Sequence, residues 1–234
     1  MDWIEGKIAP NRKVALWRRR LAHKYRFWKR PDYPVEDIRE LVARFFPGLT
    51  INEKSVVLDF GANEGHFSLL YGGFGARVIA FEPNPWAFRK ASSRLRNFPN
   101  ITLVSAAVGA TSSVVELYFP EEYSRAPELH SGSASIVASN GAVATGKSIP
   151  VFQVSIREIL QPFERIDFLK IDIEGAEAEL WPAIEESWKK IEYLAIETHE
   201  DILEGQSGDA QWLERAHDFI AKKNLGDRWR LDWP

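Results

Sequence analysis

The constraint that most narrows the fold is a change of rhythm at Ser55. From there short apolar runs alternate with helical segments almost to the end of the chain. The strand candidates are 55–60, 77–81, 101–104, 166–171 and 191–197, each rich in β-branched or aromatic residues. Runs that are apolar throughout, without in-and-out alternation, belong to strands buried on both faces. Between them the pattern predicts helices at 65–71, 85–97, 156–160 and 175–190, and another after the last run at 209–223. Strand–helix alternation of this kind predicts an α/β domain, a Rossmann-like, doubly wound, mostly parallel sheet.

Two regions depart from that rhythm. Residues 110–154 hold strand candidates at 114–119 and 148–154 around a Ser/Gly/Ala/Pro-rich stretch, read as an insertion carrying a mobile loop near the substrate. In that loop Tyr118, Phe119 and Tyr123 suit stacking on sugar rings, or form an ordinary surface loop. The C-terminus offers one final strand, 228–233, so either the last strand pair is abbreviated or the inserted strands complete the sheet edge.

The N-terminal segment 1–48 reads as a basic, aromatic, helical extension of a domain spanning 49–234. Val14, Trp17, Leu21, Tyr25 and Trp28 recur at helical spacing, with arginines and lysines on the remaining surface. A second helix over 35–46 would turn Ile38, Leu41, Val42 and Phe45 inward, with Pro47-Gly48 ending it. Residues 1–30 carry ten Lys/Arg against Asp2 and Glu5, whereas the rest of the chain has a net charge of −11. Attraction to an acidic partner or an anionic membrane surface could therefore come only from residues 11–30 and their neighbours, which could equally pack on the main domain or join copies. Nucleic acid is disfavoured as a partner by the acidic body.

Absent residues exclude further classes. With no cysteine, thiolate zinc sites, disulfide scaffolds and cysteine nucleophiles are impossible. No run of about 20 apolar residues spans a bilayer, and no secretory signal is recognisable at the N-terminus, so a cytoplasmic location is expected.

The chemistry concentrates at strand ends. Val56 to Phe67 reads as strand, tight turn, helix, with Gly61 allowing close backbone approach and Gly65 allowing close helix packing. Glu82 ends the next strand, 23 residues after Asp59, near the interval at which an acidic side chain accepts from ribose hydroxyls. A dinucleotide site would place glycine where this chain has Asn63, and would not favour Glu64 inside the turn. Asp59 and Glu64 suit instead a ligand carrying an ammonium and a sulfonium, as S-adenosylmethionine does.

These motifs resemble the FkbM family of methyltransferases. The resemblance rests on Val57-Leu58-Asp59-Phe60-Gly61-Ala62-Asn63-Glu64-Gly65, Ile79-Ala80-Phe81-Glu82-Pro83-Asn84-Pro85, Ser105-Ala106-Ala107-Val108-Gly109, Ile166-Asp167-Phe168-Leu169-Lys170-Ile171-Asp172-Ile173-Glu174-Gly175-Ala176-Glu177 and Ile196-Glu197-Thr198-His199. It implies S-adenosylmethionine as donor and O-methylation of a hydroxyl on a sugar, glycan or secondary metabolite. By position it implies that Asp59, Gly61, Asn63 and Gly65 line the methionine end. Glu82 would bind ribose with Asn84 beside it, Ser105 and Ala106 would lie near adenine, and Ser133 and Ser135 would approach the cofactor.

Methyl transfer from a sulfonium is an in-line displacement, helped by a base that takes the acceptor's proton. Asp172 and Glu174 end the fourth main strand, and Glu197 and His199 the fifth. His199 is the preferred base, since a pKa near ~6.5 suits proton transfer at neutral pH. Asp172 is the alternative base, or else holds the donor's amino group. Glu177 reads as a structural or capping residue. His66 either borders the substrate pocket or is an exposed helix residue. The same acids with His199 could hold a divalent metal such as Mg²⁺, a less favoured reading because no dense carboxylate motif is present. A nicotinamide oxidoreductase, a nucleic-acid methyltransferase and a non-catalytic cofactor-binding protein are the rivals.

Overall fold

The computed structural model describes residues 35–119, 134–136, 147–198, 209–231 and 233. The basic segment 11–30, Tyr123, Ser133 and His199 lie outside these described residues.

Six strands form one sheet in the order β3-β2-β1-β7-β8-β9, every neighbouring pair parallel. They are β1 Val56–Phe60, β2 Arg77–Phe81, β3 Ile101–Val104, β7 Ile166–Ile171, β8 Ile191–Ile196 and β9 Trp229–Arg230. The chain moves outward from β1 to β3, then returns to the other side of β1 with β7. The strand order thus reverses between β1 and β7, the point beyond whose carboxyl ends open α/β sheets bind ligands. The fold is the Rossmann-like class of the sequence reading.

Helices α2 His66–Gly73, α3 Pro85–Leu95, α5 Glu177–Glu186 and α6 Asp209–Lys222 link or follow these strands. The core is aliphatic in the middle of the sheet and aromatic at one flank. There Trp181 meets Phe219 and Trp229 edge-on, with ring centroids 5.9 and 6.3 Å apart.

Helix α1, Val35–Phe45, buries Ile38 and Val42, with Phe46 just past its end. Phe46 packs edge-on against Phe168 of β7 at 5.4 Å and stacks on Trp233 at 5.6 Å. The buried stripe is therefore Ile38-Val42-Phe46, with Leu41 and Phe45 at its border rather than at its centre.

The C-terminal strand is shorter than the sequence suggests. Among the described residues only Trp229 and Arg230 pair with β8, after which the Trp233 amide donates to the Ile196 carbonyl and its ring turns into the core. The inserted strands do not complete this edge. Strands β4 Ala107–Gly109, β5 Ser113–Tyr118 and β6 Ser148–Ser155 form a separate sheet in the order β4-β6-β5. The three-residue β4 is too short to show a hydrophobic period. Helix α4, Ile156–Leu160, leads from this sheet back to β7. Helix α5 begins at Glu177, not Gly175, because Glu174 and Gly175 adopt φ 57° and 110°, which no right-handed helix accepts.

Candidate active site

The turn after β1 is built from left-handed backbone. Gly61, Asn63 and Gly65 have φ of 77°, 48° and 81°. Asn is among the few residues that adopt this conformation readily. The amides of Gly61 and Ala62 both donate to the Phe81 carbonyl at 3.0 and 2.9 Å, binding the turn to the end of β2. A Cβ on Gly61 would run into the Asp172 backbone carbonyl, so the loops after β1 and β7 are in direct contact. Asp59 is wholly buried and accepts from Ser68 Oγ of α2 at 2.7 Å. Asn63 Oδ1 is buried in the turn and accepts no hydrogen bond.

Glu82 lies across this turn at the tip of β2, 6% exposed. One carboxylate oxygen accepts from the Asn63 amide at 2.7 Å and the other from the Asn84 amide at 2.8 Å. A carboxylate has about four acceptor positions, so two remain for ligand hydroxyls. Burial drives its pKa up to about 7, although the two amides and Lys170 pull the other way. Asn84 caps α3 by accepting from the Trp86 amide at 3.0 Å. The Glu82 amide donates to Val104, the last residue of β3, so exposed Ser105 and buried Ala106 follow directly beside Glu82.

Glu64 does not leave its charge in the turn. It pairs with Lys90 at 2.9 Å and with Arg94 at 3.4 Å, both on α3, so its expected repulsion of a diphosphate is largely spent. Half-buried His66 is pushed down to about 4, first by burial and then by the Arg94 charge. It is neutral at physiological pH and poorly suited to act as a base.

The loop after β7 carries Asp172, partly exposed, then Glu174 and Gly175. Glu177, 1% exposed, accepts from the Gly175 amide at 3.1 Å and braces the loop, a structural contact rather than a cap of α5, which has no side-chain cap. Ser135 reaches the same loop from the insertion. It forms an antiparallel bridge with Tyr118, and its hydroxyl donates to the Glu174 carbonyl at 2.6 Å. Glu197 follows β8, its amide donating to the Ile171 carbonyl at 2.9 Å. Gly61, Asn63, Glu82 and Asp172 thus gather at the carboxyl ends of β1, β2 and β7 with Asp59 buried beneath them, and Ser135 and Glu174 lie on the insertion side.

Sequence reasoning assigned no role to Lys170. It lies inside β7, 2% exposed, with Nζ 2.8 Å from the Gly61 carbonyl and 3.4 Å from both Asp59 and Asp172. A lysine in the apolar Phe168–Ile171 stretch of β7 was the available signal, because a buried ammonium requires acidic partners.

Among the described residues no three His, Asp or Glu side chains group as a metal site, and no helix is long and apolar enough to cross a membrane.

A strand-order reversal, a glycine-lined turn and a pre-oriented acid at the next strand define a Rossmann-like cofactor-binding domain. Residues 59–226, more than half of the chain, match the methyltransferase FkbM domain, and the chain belongs to that family. It is 31% identical over 171 residues to the methyltransferase sdnD of Sordaria araneosa, covering 62% of this chain and 66% of the relative, just under two thirds. The crystal structure of an FkbM methyltransferase from Methylobacillus flagellatus KT is similar at 17% identity and TM-score 0.44, covering 75% of this chain and 39% of that one. Aeropyrum pernix fibrillarin with natively bound S-adenosyl-L-methionine is similar at 12% identity and TM-score 0.41, covering 80% and 64%.

Proposed function

We propose that this domain transfers the methyl group of S-adenosylmethionine to a hydroxyl of a sugar, glycan or secondary metabolite. The donor's sulfonium supplies an activated methyl group. Family membership supports methyl transfer, and Glu82 is the observation that carries the donor. Its carboxylate is held by amides from two different turns, with acceptor capacity left over for a vicinal diol. Asn63 stands in the turn at the methionine end, buried Asp59 supports that turn from beneath through Ser68 and Lys170, and Gly61 keeps backbone close by leaving out a side chain.

Catalysis here is chiefly positioning. Asp172 and Glu197 stand at the carboxyl ends of β7 and β8, which are neighbours in the sheet. His199 follows Glu197 by two residues and is the base we favour for the acceptor's proton; Asp172 either shares that task or holds the donor's amino group. Ser135 brings the insertion to this edge, which makes the insertion the element that selects the acceptor.

The decisive experiment offers labelled S-adenosylmethionine with a panel of glycans, hydroxylated metabolites and RNA, alongside calorimetry with S-adenosylhomocysteine and NAD. Binding of S-adenosylhomocysteine and methylation of a hydroxylated small molecule or glycan support the reading. Preference for NAD, or methylation of RNA alone, removes it.

A further inference from the structure

In the sheet register Ala80, Asp59, Lys170 and Ala195 stand side by side on β2, β1, β7 and β8. Paired positions of neighbouring strands point to one face. The two alanines flank the two charged residues, and Phe67 of α2 covers the ammonium, its ring centroid 5.2 Å from Nζ. A lysine so enclosed costs desolvation: replacing the whole buried Asp59–Lys170 pair by apolar side chains of similar volume would often be equally stable, whereas removing the lysine alone strands the buried Asp59 carboxylate. Burial opposes its charge, yet Asp59, Asp172 and Glu197 outweigh that effect and raise its pKa above the usual lysine value. The ammonium is therefore retained at a cost, and its partners show where it acts. Gly61 belongs to the turn after β1 and Asp172 to the loop after β7, and the two are in backbone contact.

We propose that Lys170 is a positioning residue of the donor site: its single ammonium draws the Gly61 carbonyl and the Asp172 carboxylate together, so that two separate loops meet the donor as one preformed surface. This rests on the donor reading above and adds to it the device that assembles the site. Asp172 contacts the donor or the acceptor, and Lys170 acts through it.

The test is a cycle of Lys170→Met, Asp172→Asn and the double variant, read by calorimetric titration of S-adenosylhomocysteine and by thermal melting. Lys170→Met is expected to weaken binding roughly tenfold or more in the unmodified protein but less than about twofold in the Asp172→Asn background, because coupled residues are not additive. Melting temperature falls in both backgrounds, which separates positioning from stability. Equal weakening in both backgrounds, or none in the unmodified protein, overturns the proposal. Where Lys170→Met does not fold, Lys170→Arg keeps the charge but replaces a compact ammonium with a planar fork, and the same comparison is made with it. Failure of the unmodified protein to bind S-adenosylhomocysteine removes the donor reading, and this inference with it.

Discussion

The two sheets of this domain follow opposite plans. The six-stranded sheet is wholly parallel and its central strands are buried on both faces, while the three-stranded sheet is mixed and turns one face to solvent. On that open face Val114 and Phe152 sit directly opposite each other and are 62% and 71% exposed. The large sheet spends its precision at its carboxyl edge, where backbone atoms of different loops touch. Among the described residues the insertion meets that edge at Ser135, which bridges to Tyr118 of the small sheet and donates its hydroxyl hydrogen to the Glu174 carbonyl. The donor site is thus part of the core of the fold, and the insertion is an attachment to it. Changes at the carboxyl edge should damage fold and donor binding together, and changes in the small sheet away from Ser135 should spare both.

The largest effect is expected at Gly61→Ala. The residue has φ 77°, and its new methyl would strike the backbone of Asp172, which cannot move without shifting β7. Left-handed strain and overpacking together cost roughly 4 kcal/mol, or a melting temperature lower by ~10 °C, with donor affinity lost as well. A variant that melts and binds S-adenosylhomocysteine like the unmodified protein would break the claim that the two loops are one structure.

Glu82 comes next. In Glu82→Gln either orientation of the amide puts an NH₂ against the Asn63 or Asn84 N–H and removes an acceptor facing the ligand. The loss of hydrogen bonds to a charged group should weaken donor binding by about 3 kcal/mol, roughly a hundredfold. The unmodified residue makes a second, independent test. Its folded pKa of about 7 lies above the unfolded value of 4.5 because of burial. Its contribution to stability is complete below pH 4.5 and is lost as pH rises through 7, a change on the order of 3 kcal/mol. Donor binding runs the other way, since the diol needs the carboxylate: affinity should be level above pH 7 and fall below it. Denaturant melts of the donor-free protein, with calorimetry from pH 5 to 9, check both slopes.

Ser135→Ala should sharpen the division between the sheets. The hydroxyl is buried and donates to the Glu174 carbonyl, so its removal costs about 1–2 kcal/mol at that junction. Acceptor turnover should fall several-fold while S-adenosylhomocysteine binds within about twofold of the unmodified protein. An equal loss of donor affinity would place the insertion inside the donor site.

How much of this was legible in the sequence follows the same division. Strands at 77–81, 101–104 and 166–171 were read to the residue, because each is a short run rich in β-branched and aromatic residues set between turn or helix signals. The place of Glu82 just past the end of β2 was legible from its strand pattern, and the tight turn after β1 from Gly61; their roles toward a donor belong to the proposal. Three features were not legible, each because a distant contact decides it. Lys170 acquires meaning only when β7 is laid beside β1. Glu64 looked available in the turn, yet α3 brings Lys90 and Arg94 to it. The separate small sheet was hidden because parallel pairing of Ala107–Gly109 with residues 153–155 joins segments more than forty residues apart. His199 and Ser133, assigned from position and resemblance, are outside the described residues.

The smallest effect is expected on the open face of the small sheet. Phe152→Thr and Val114→Thr keep β-branched or strand-compatible side chains and bury no new polar group, since both positions already meet water. Each should shift stability by less than about 0.5 kcal/mol, at most the worth of one cross-strand pair, and leave donor affinity unchanged. If the insertion selects the acceptor only through the edge at Ser135, turnover should be unchanged too. A variant that melts normally and binds S-adenosylhomocysteine normally, yet loses transfer to its acceptor, would move the acceptor surface from the Ser135 edge onto this face. That result would redraw the boundary between the two sheets while leaving the donor site where it is.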